Sequence, residues 1–291
     1  MTLSLPDPRT NPYRPDLAAA HLEGIVQAER FIEGVPCQLC AGFATVKAAP
    51  DFEARQTTQA LFGETVTVYE EHDGWVWGQI ETDGYVGYLR LETLSGETPE
   101  PTHRVAALRT FLFPEPDLKS PTLDVLSLTS RVAVIGETNG FAELEQGGWV
   151  FAKHLAGLAE VTPDYVGTAS RLIGVPYLWG GKTSFGLDCS ALVQLSLNAC
   201  GAPCWRDSDM QELSYPRIEP ADDLSDLQRG DLIFWEGHVA IVRDGSTVIH
   251  ANGYHMAVAI EPIADAVARN RADGIALSSV RRLEGSMRGD Q

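Results

Sequence analysis

The sequence has few positively charged residues. It contains 22 Lys and Arg against 40 Asp and Glu among 291 residues, and its formal net charge is −18. A surface with this excess of carboxylates repels phosphate backbones and anionic lipid headgroups. We therefore expect no nucleic acid or membrane partner, and the composition is typical of an acidic cytoplasmic protein.

The sequence also lacks the segments that direct a chain to a membrane. No stretch approaches the roughly 20 consecutive apolar residues that a transmembrane helix needs. The N-terminus reads MTLSLPDPR, in which no basic segment precedes an apolar core. We therefore expect no secretory signal and a cytoplasmic location.

Cysteine is scarce, and its positions do not suggest a disulfide framework. The five cysteines are Cys37, Cys40, Cys189, Cys200 and Cys204. An odd number without a secretory signal argues against structural disulfides. Cys37 and Cys40 form a single C-x-x-C without a second pair or a thioredoxin-like βαβ pattern, so we interpret them as structural or incidental.

The hydrophobic pattern divides the chain into four segments. Residues 1–35 combine a proline-rich arm with a helical periodicity, which predicts a short helix. Residues 36–100 and 101–158 each alternate short strands with Asp-Gly or Asn-Gly turns, the pattern of a small β-barrel. Because the two segments repeat the same order of strands and turns, we interpret them as a tandem duplication. Residues 160–287 mix helical and strand patterns.

Cys189 has a local sequence suited to a nucleophile. Asp188, Cys189 and Ser190 immediately precede an apolar run that predicts a helix over 191–199. A helix N-terminus carries partial positive charge and free N–H groups, so we expect a lowered thiol pKa and a place to stabilise an oxyanion. The alternatives are a buried structural cysteine, which the polar neighbours disfavour, and a helix N-cap role for Asp188.

Two histidines on predicted strands complete a possible catalytic set. His238 begins the run HVAIV, and His250 follows 12 residues later (250 − 238) in VIHA. Adjacent antiparallel strands would bring the two imidazoles together, with His238 as the base for Cys189 and His250 as its orienting partner. A zinc site built from these three residues is the alternative. Because none of them forms a close i, i+3 or i+4 pair, we expect no metal and no cofactor.

Residues 160–285 resemble the NlpC/p60 superfamily of papain-like cell-wall peptidases. The matching segments are PYLWGG at 176–181, LDCSALVQ at 187–194, RGDLIFW at 229–235, GHVAIV at 237–242 and VIHA at 248–251. Residues 36–158 resemble paired bacterial SH3-like barrels. The resemblance implies an α+β fold: a papain-like domain with helices packed on an antiparallel sheet, preceded by two small all-β SH3-like barrels.

The combination of two barrels with this domain resembles γ-D-glutamyl-L-diamino acid endopeptidases of the dipeptidyl-peptidase VI type, which recycle murein peptides. The resemblance implies hydrolysis between D-γ-Glu and the diamino acid of a short peptide with a free N-terminal L-Ala. It makes Cys189 the nucleophile, His238 the base and His250 the third catalytic residue.

The same resemblance assigns the substrate amine to three groups. Asp188 and Ser190 flank the nucleophile, and a tyrosine of the first barrel joins them. We assign Tyr85 to this role and place Tyr88 in the barrel core. Trp179 and Trp235 either line the cleft or pack in the core, and we assign Trp179 to the substrate site.

Other functions remain open at this point. The enzyme could act on intact peptidoglycan, or as a related amidase or acyltransferase. A non-catalytic peptide-binding scaffold is a third hypothesis, because SH3-like folds often bind extended peptides. We expect a monomer whose partner is a small murein peptide of the L-Ala-γ-D-Glu-diaminopimelate type.

Overall fold

The computed structural model describes residues 5–283. The chain divides into two compact units between Gly157 and Leu158. Within the described residues, no helix combines the length and the hydropathy of a membrane-spanning segment.

The N-terminal segment follows the surface of the first barrel in short turns. Strand β1 (Ala18–Ala19) pairs in parallel with β2 (Phe31–Ile32), and a 3₁₀ turn at Ala20–Leu22 follows β1. The helix predicted in this segment is therefore wrong. Gly24 has a φ of +79°, which interrupts a right-handed helix. The apolar residues instead pack on the barrel, in a cluster with Tyr69 and Trp77.

The first barrel is one antiparallel sheet of seven strands. The strands are β3 (Val35–Leu39), β4 (Phe43–Lys47), β5 (Gln56–Leu61), β6 (Thr65–His72), β7 (Trp75–Ile80), β8 (Val86–Arg90) and β9 (Leu94–Ser95). Their order is β5-β4-β8-β7-β6-β3-β9. The β6–β7 turn places Asp73 and Gly74 at φ of 49° and 74°, as a tight Asp-Gly hairpin requires.

The second barrel is built from two smaller sheets. Its strands are β10 (His103–Val105), β11 (Arg109–Phe113), β12 (Asp124–Ser127), β13 (Arg131–Val132), β14 (Val134–Thr138), β15 (Phe141–Leu144), β16 (Trp149–Phe151) and β17 (Leu155–Gly157). The sheet orders are β13-β10-β17 and β12-β11-β16-β15-β14. Phe62 of the first barrel packs in the apolar core of the second, so the two barrels are joined through buried side chains.

The second unit packs helices on a six-stranded antiparallel sheet. Its helices are α1 (Tyr165–Arg171), α2 (Cys189–Ala199), α3 (Ser208–Ser214) and α4 (Ile263–Ala272). A small hairpin joins β18 (Lys182–Thr183) to β19 (Gly186–Leu187). The main sheet contains β20 (Arg217–Ile218), β21 (Asp231–Trp235), β22 (His238–Val242), β23 (Thr247–Asn252), β24 (Ala257–Pro262) and β25 (Leu277–Arg282).

The main sheet runs in the order β20-β25-β21-β22-β23-β24, and α2 packs against β22 and β23. All but one residue of α2 are buried, as the apolar run predicts. The helix therefore lies against two neighbouring strands of the sheet, β22 and β23. The α+β arrangement predicted from the sequence, with two β-barrels before it, is confirmed.

Candidate active site

Cys189 is the first residue of α2, and Asp188 caps that helix. Asp188 has an extended backbone, and its Oδ1 accepts a hydrogen bond of 2.9 Å from the backbone N–H of Ala191. The capping role considered for Asp188 is thus present. The β18–β19 hairpin ends at Leu187, directly before this cap. Cys189 is therefore held at the start of the helix.

A buried guanidinium group holds the same carboxylate. Arg206 donates from Nη1 to Asp188 Oδ1 at 2.9 Å and from Nη2 to Oδ2 at 2.7 Å. Its Nη1 also lies 2.9 Å from Ser190 Oγ, and Gly180 N–H donates to Asp188 Oδ2 at 2.9 Å. Arg206 is only 1% exposed. The sequence did not reveal Arg206, because no motif marks the loop between α2 and α3.

This pairing changes what Asp188 offers a substrate. With Ser190 Oγ at 3.2 Å, Asp188 accepts five hydrogen bonds in all. Arg206 also balances its negative charge at close range. An ammonium ion at this place would therefore meet a pair with little net charge, together with the hydroxyl of Ser190.

The sulfur of Cys189 rests against the beginning of β22. Sγ lies 3.9 Å from the carbonyl oxygen of Gly237, and the backbone N–H of Val239 donates to the sulfur. Cys189 is 6% exposed. His238 is the residue between Gly237 and Val239, whose backbones contact the sulfur. It is therefore the candidate base.

The thiol pKa is raised, whereas the position at the helix N-terminus predicted a lowered one. Burial raises the pKa of Cys189 to about 12, and the charge of Asp188 adds to the rise. That prediction is wrong for the resting protein, because removing a thiolate from water costs more than a helix terminus contributes. The resting cysteine is therefore a neutral thiol.

The two histidines lie side by side on β22 and β23. His238 Nε2 and His250 Nδ1 are 2.9 Å apart. The strands pair antiparallel, with Ile241 opposite Ile249, as the sequence pattern predicts. Burial lowers the pKa of His238 to about 3 and that of His250 to about 4. Both imidazoles are therefore neutral near pH 7.

The row of polar side chains continues beyond His250. His250 Nε2 lies 2.6 Å from Glu261 Oε1, and Arg269 donates to both oxygens of the Glu261 carboxylate, with Nη1 2.6 Å from Oε2. His250 is 1% exposed and Glu261 is 7% exposed. No motif in the sequence marks Glu261. A signal was available, since a charged residue in the apolar run AVAIEP needs a partner if it is buried.

One group of side chains in the described part of the chain approaches metal-binding geometry. His250, His255 and Glu261 each offer a ligand atom, and these atoms lie within 4.8 Å of one another. Neither Cys189 nor His238 belongs to this group, so the zinc site considered from the sequence does not form. Arg269 already contacts both Glu261 oxygens, and His250 bonds to the same carboxylate. The His250 and Glu261 atoms that could bind a metal are thus already engaged in hydrogen bonds with each other and with Arg269.

Trp235 and Tyr177 lie close to the candidate catalytic residues. Trp235 is 2% exposed and its ring centroid is 5.7 Å from that of His238, so it is a core residue. Trp179, in contrast, is 53% exposed. Tyr177 is half-buried; burial raises the pKa of its phenol, and the nearby negative charge of Asp188 adds to the rise. The phenol therefore stays protonated and can donate a hydrogen bond.

The two tyrosines considered from the sequence both lie in the first barrel. Tyr85 follows a turn in which its backbone N–H donates to Asp83 Oδ1, and it is 6% exposed. Tyr88 is half-buried, and its hydroxyl accepts a hydrogen bond of 2.9 Å from Arg14. Tyr88 thus joins the barrel to the N-terminal segment.

A cysteine at the start of a buried helix, packed on a sheet that carries paired histidines, defines the papain-like class of cysteine peptidases. Residues 174–276 match the model of the NlpC/P60 family, and residues 46–94 match that of the bacterial dipeptidyl-peptidase Sh3 domain. The chain is therefore a cysteine peptidase that combines an NlpC/P60 domain with a bacterial SH3 domain.

Known proteins resemble this chain over most of its length. A γ-D-glutamyl-L-lysine dipeptidyl-peptidase from Bacillus cereus is 28% identical over 71% of this chain and 70% of that protein. Dipeptidyl-peptidase 6 from Lysinibacillus sphaericus is 27% identical over 73% and 86%. The crystal structure of an NlpC/P60 family protein from Bacillus cereus covers 85% of this chain and 99% of its own, with a TM-score of 0.72 and 22% identity. This last likeness establishes the shared fold.

Proposed function

We propose that this enzyme hydrolyses the bond between D-γ-Glu and a diamino acid in short murein peptides that carry a free N-terminal L-Ala. The observation that carries the proposal is the sulfur of Cys189 lying against β22 beside the hydrogen-bonded His238 and His250. The substrate class is supported by the γ-D-glutamyl-L-lysine dipeptidyl-peptidases that resemble the chain.

In the proposed acylation, the sulfur of Cys189 attacks the γ-carbonyl carbon while its proton passes to His238. The Nε2 atom of His238 is engaged by His250, so Nδ1 is the nitrogen left to accept the proton. First-turn N–H groups of α2 lack intrahelical acceptors, and Tyr177 keeps a hydroxyl proton. These donors are suited to stabilise the oxyanion.

Collapse of the tetrahedral intermediate breaks the C–N bond. The leaving amine takes the proton from His238, which leaves a thioester between Cys189 and the γ-carboxyl group of the L-Ala-γ-D-Glu dipeptide. His238 then removes a proton from water, and the resulting hydroxide attacks the thioester. Release of the dipeptide acid returns the proton to the sulfur.

We assign recognition of the free amine to Asp188 and Ser190, and a lining role to Trp179. Hydroxyl and carboxylate oxygens are the acceptors that an ammonium ion requires. Because Arg206 balances the charge of Asp188, Ser190 Oγ is the acceptor in this set that a substrate amine can use without displacing the ion pair. The exposure of Trp179 leaves its ring available for contact.

We further propose that the enzyme recycles such peptides in the cytoplasm. A requirement for a free N-terminal amine favours soluble fragments over stem peptides that are still attached to glycan. Cell fractionation followed by immunodetection tests this location. Recovery of the protein mainly from the wall fraction would contradict it and favour action on intact peptidoglycan.

The function is tested by mass-spectrometric digestion of L-Ala-γ-D-Glu-meso-diaminopimelate, its N-acetylated form and intact peptidoglycan. We expect L-Ala-γ-D-Glu to be released from the free peptide alone, and no release by Cys189→Ala. Cys204→Ala is a matched control, because Cys204 is also a buried cysteine of the same unit. Equal cleavage of the acetylated peptide would reject the amine-recognition roles, and cleavage of peptidoglycan alone would reject the proposed substrate.

A further inference from the structure

Four side chains form a continuous row behind the candidate nucleophile. Arg269 donates to both oxygens of Glu261, Glu261 contacts His250 at 2.6 Å, and His250 contacts His238 at 2.9 Å. His238, at the end of this row, adjoins the backbone that holds the sulfur of Cys189. Every contact in the row joins neighbours at hydrogen-bond distance.

The row determines which nitrogen of each ring carries a proton. Burial opposes ionisation of Glu261, but hydrogen bonds from Arg269 and the nearby His250 outweigh it and keep the pKa of this carboxyl below its ordinary value. An ionised carboxylate accepts hydrogen bonds and donates none. His250 Nε2 must therefore carry a hydrogen, and a neutral His250 then presents an unprotonated Nδ1.

The proton position on His250 determines the proton position on the next ring, His238. Because His250 Nδ1 is an acceptor, His238 Nε2 must be the donor across their contact of 2.9 Å. A neutral His238 with hydrogen on Nε2 has its lone pair on Nδ1. This is the tautomer that can accept a proton from a thiol.

We propose that Glu261 is a positioning residue that fixes, through His250, the tautomer in which His238 acts as a base. The proposal deepens the function proposed above and rests on it. Glu261 contacts His250 and Arg269, and it acts on His238 through His250.

Arg269 explains why the orientation of this carboxylate is fixed. Its two terminal nitrogens contact the two Glu261 oxygens, and its guanidinium lies 4.5 Å from the ring centroid of Tyr254. Neither oxygen can be replaced by an NH₂ group without placing two donors against each other. In Glu261→Gln the NH₂ group would face Arg269 in either orientation, because Oε1 contacts both Arg269 and His250 and Oε2 contacts Arg269; in one of the two orientations it would also face His250. Facing His250, it would donate to Nε2 and reverse the proton order in both rings.

The first experiment measures tautomers in the full-length protein labelled with ¹⁵N-histidine. Long-range ¹H–¹⁵N spectra distinguish protonated from unprotonated ring nitrogens, and His238→Gln and His250→Gln variants assign the signals. We expect hydrogen on Nε2 of both rings in the wild type and on Nδ1 of His238 in Glu261→Gln. Hydrogen on Nδ1 of His238 in the wild type would overturn the proposal, even if the variant failed to fold.

The second experiment is steady-state kinetics on the free tripeptide. Glu261→Gln should lower kcat by roughly 10² to 10⁴, the effect of a wrong histidine tautomer in a serine peptidase, with little change in KM. Glu261→Asp, which remains an acceptor, should recover part of kcat. Asp231→Asn is the matched control, because Asp231 is a fully buried carboxylate that Arg282 contacts at 2.8 and 2.6 Å, away from the histidines.

Two results separate this inference from the proposed function. A wild-type kcat in a folded Glu261→Gln, or an equal loss in Asp231→Asn, would contradict the positioning role. The wild type could fail to cleave the tripeptide although both rings carry hydrogen on Nε2. This result would reject the proposed substrate, but it would still support the proposed positions of the protons on His238 and His250.

Discussion

Arg206 donates hydrogen bonds of 2.9 and 2.7 Å to the two carboxylate oxygens of Asp188, the residue directly before the candidate nucleophile. The pair is buried, with side-chain exposures of 1% for Arg206 and 11% for Asp188. It ties the loop after α2 to the cap of that helix. The position of Cys189 therefore depends on the Arg206–Asp188 ion pair, although neither of these residues is the proposed nucleophile or base.

Arg206→Ala should destabilise the second unit and abolish activity. Removing one member of a buried ion pair leaves the other charge uncompensated, which costs about 3–5 kcal/mol. Urea unfolding measures the loss. Arg217→Ala is the control, because Arg217 pairs with Glu219 on the surface, with exposures of 56% and 79%. This control should change the free energy of unfolding by less than about 0.5 kcal/mol. Equal stabilities of the two variants would contradict the structural role of Arg206.

The buried histidines should make the folded state less stable as the pH falls below 6.5. Both pKa values are lowered by burial, to about 3 for His238 and about 4 for His250, from an ordinary value of 6.5. Above pH 6.5 neither histidine contributes, because it is neutral in both the folded and unfolded states. Between pH 6.5 and about 4 the unfolded chain takes up protons that the folded chain does not, so the free energy of unfolding decreases.

Urea titrations at several pH values between 4.5 and 7 measure this dependence. His238→Gln removes one of the two proton sites, so its stability should fall less steeply over this range. His72→Gln, at a side chain that is 80% exposed, should retain the wild-type slope. An unchanged slope in His238→Gln would contradict the burial of a neutral His238.

Removal of divalent metals should leave hydrolysis unchanged. The ring of His250 and the carboxylate of Glu261 are bonded to each other, and Arg269 contacts both carboxylate oxygens. Because these atoms are already hydrogen-bonded to one another, we expect no bound metal for EDTA to remove. Activity is measured on the tripeptide before and after dialysis against EDTA. A loss of activity that added zinc restores would show that the cluster with His255 holds a metal.

Gly63→Ala should destabilise the first unit, because the backbone of the two barrels meets there. Gly63 has a φ of +75°, and a Cβ at this position would lie 1.9 Å from the carbonyl oxygen of Arg131. Gly24 has a similar φ of +79° but open space around it. Gly24→Ala should cost only the roughly 1–2 kcal/mol of a left-handed backbone, and Gly63→Ala clearly more. Equal losses in thermal unfolding would contradict the close approach.

Local sequence patterns predicted those parts of the fold that neighbouring residues determine. The apolar run after Cys189 predicted α2, and Asp73-Gly74 predicted the turn between β6 and β7. The strand patterns around His238 and His250 predicted adjacent strands, and the two imidazoles lie 2.9 Å apart. Each of these features follows from periodicity or turn chemistry within a few residues.

Tertiary contacts explain what the sequence did not reveal. The helical periodicity in the N-terminal segment was overridden by packing on Tyr69 and Trp77. Burial reversed the direction predicted for the pKa of Cys189. Arg206 and Glu261 lie outside every motif, and their importance comes from partners that are distant in sequence. A charged residue among apolar ones indicates a buried partner, but its identity requires the fold.

The proposed function requires that the sulfur of Cys189 forms a thioester with the γ-glutamyl group of the substrate. Intact-protein mass spectrometry after rapid acid quench of a reaction with L-Ala-γ-D-Glu-meso-diaminopimelate tests it directly. We expect an adduct of one L-Ala-γ-D-Glu acyl group on the wild type, mapped to Cys189 by peptide digestion and absent from Cys189→Ala. Release of the dipeptide by Cys189→Ala, or an acyl group mapped to another residue, would contradict the account.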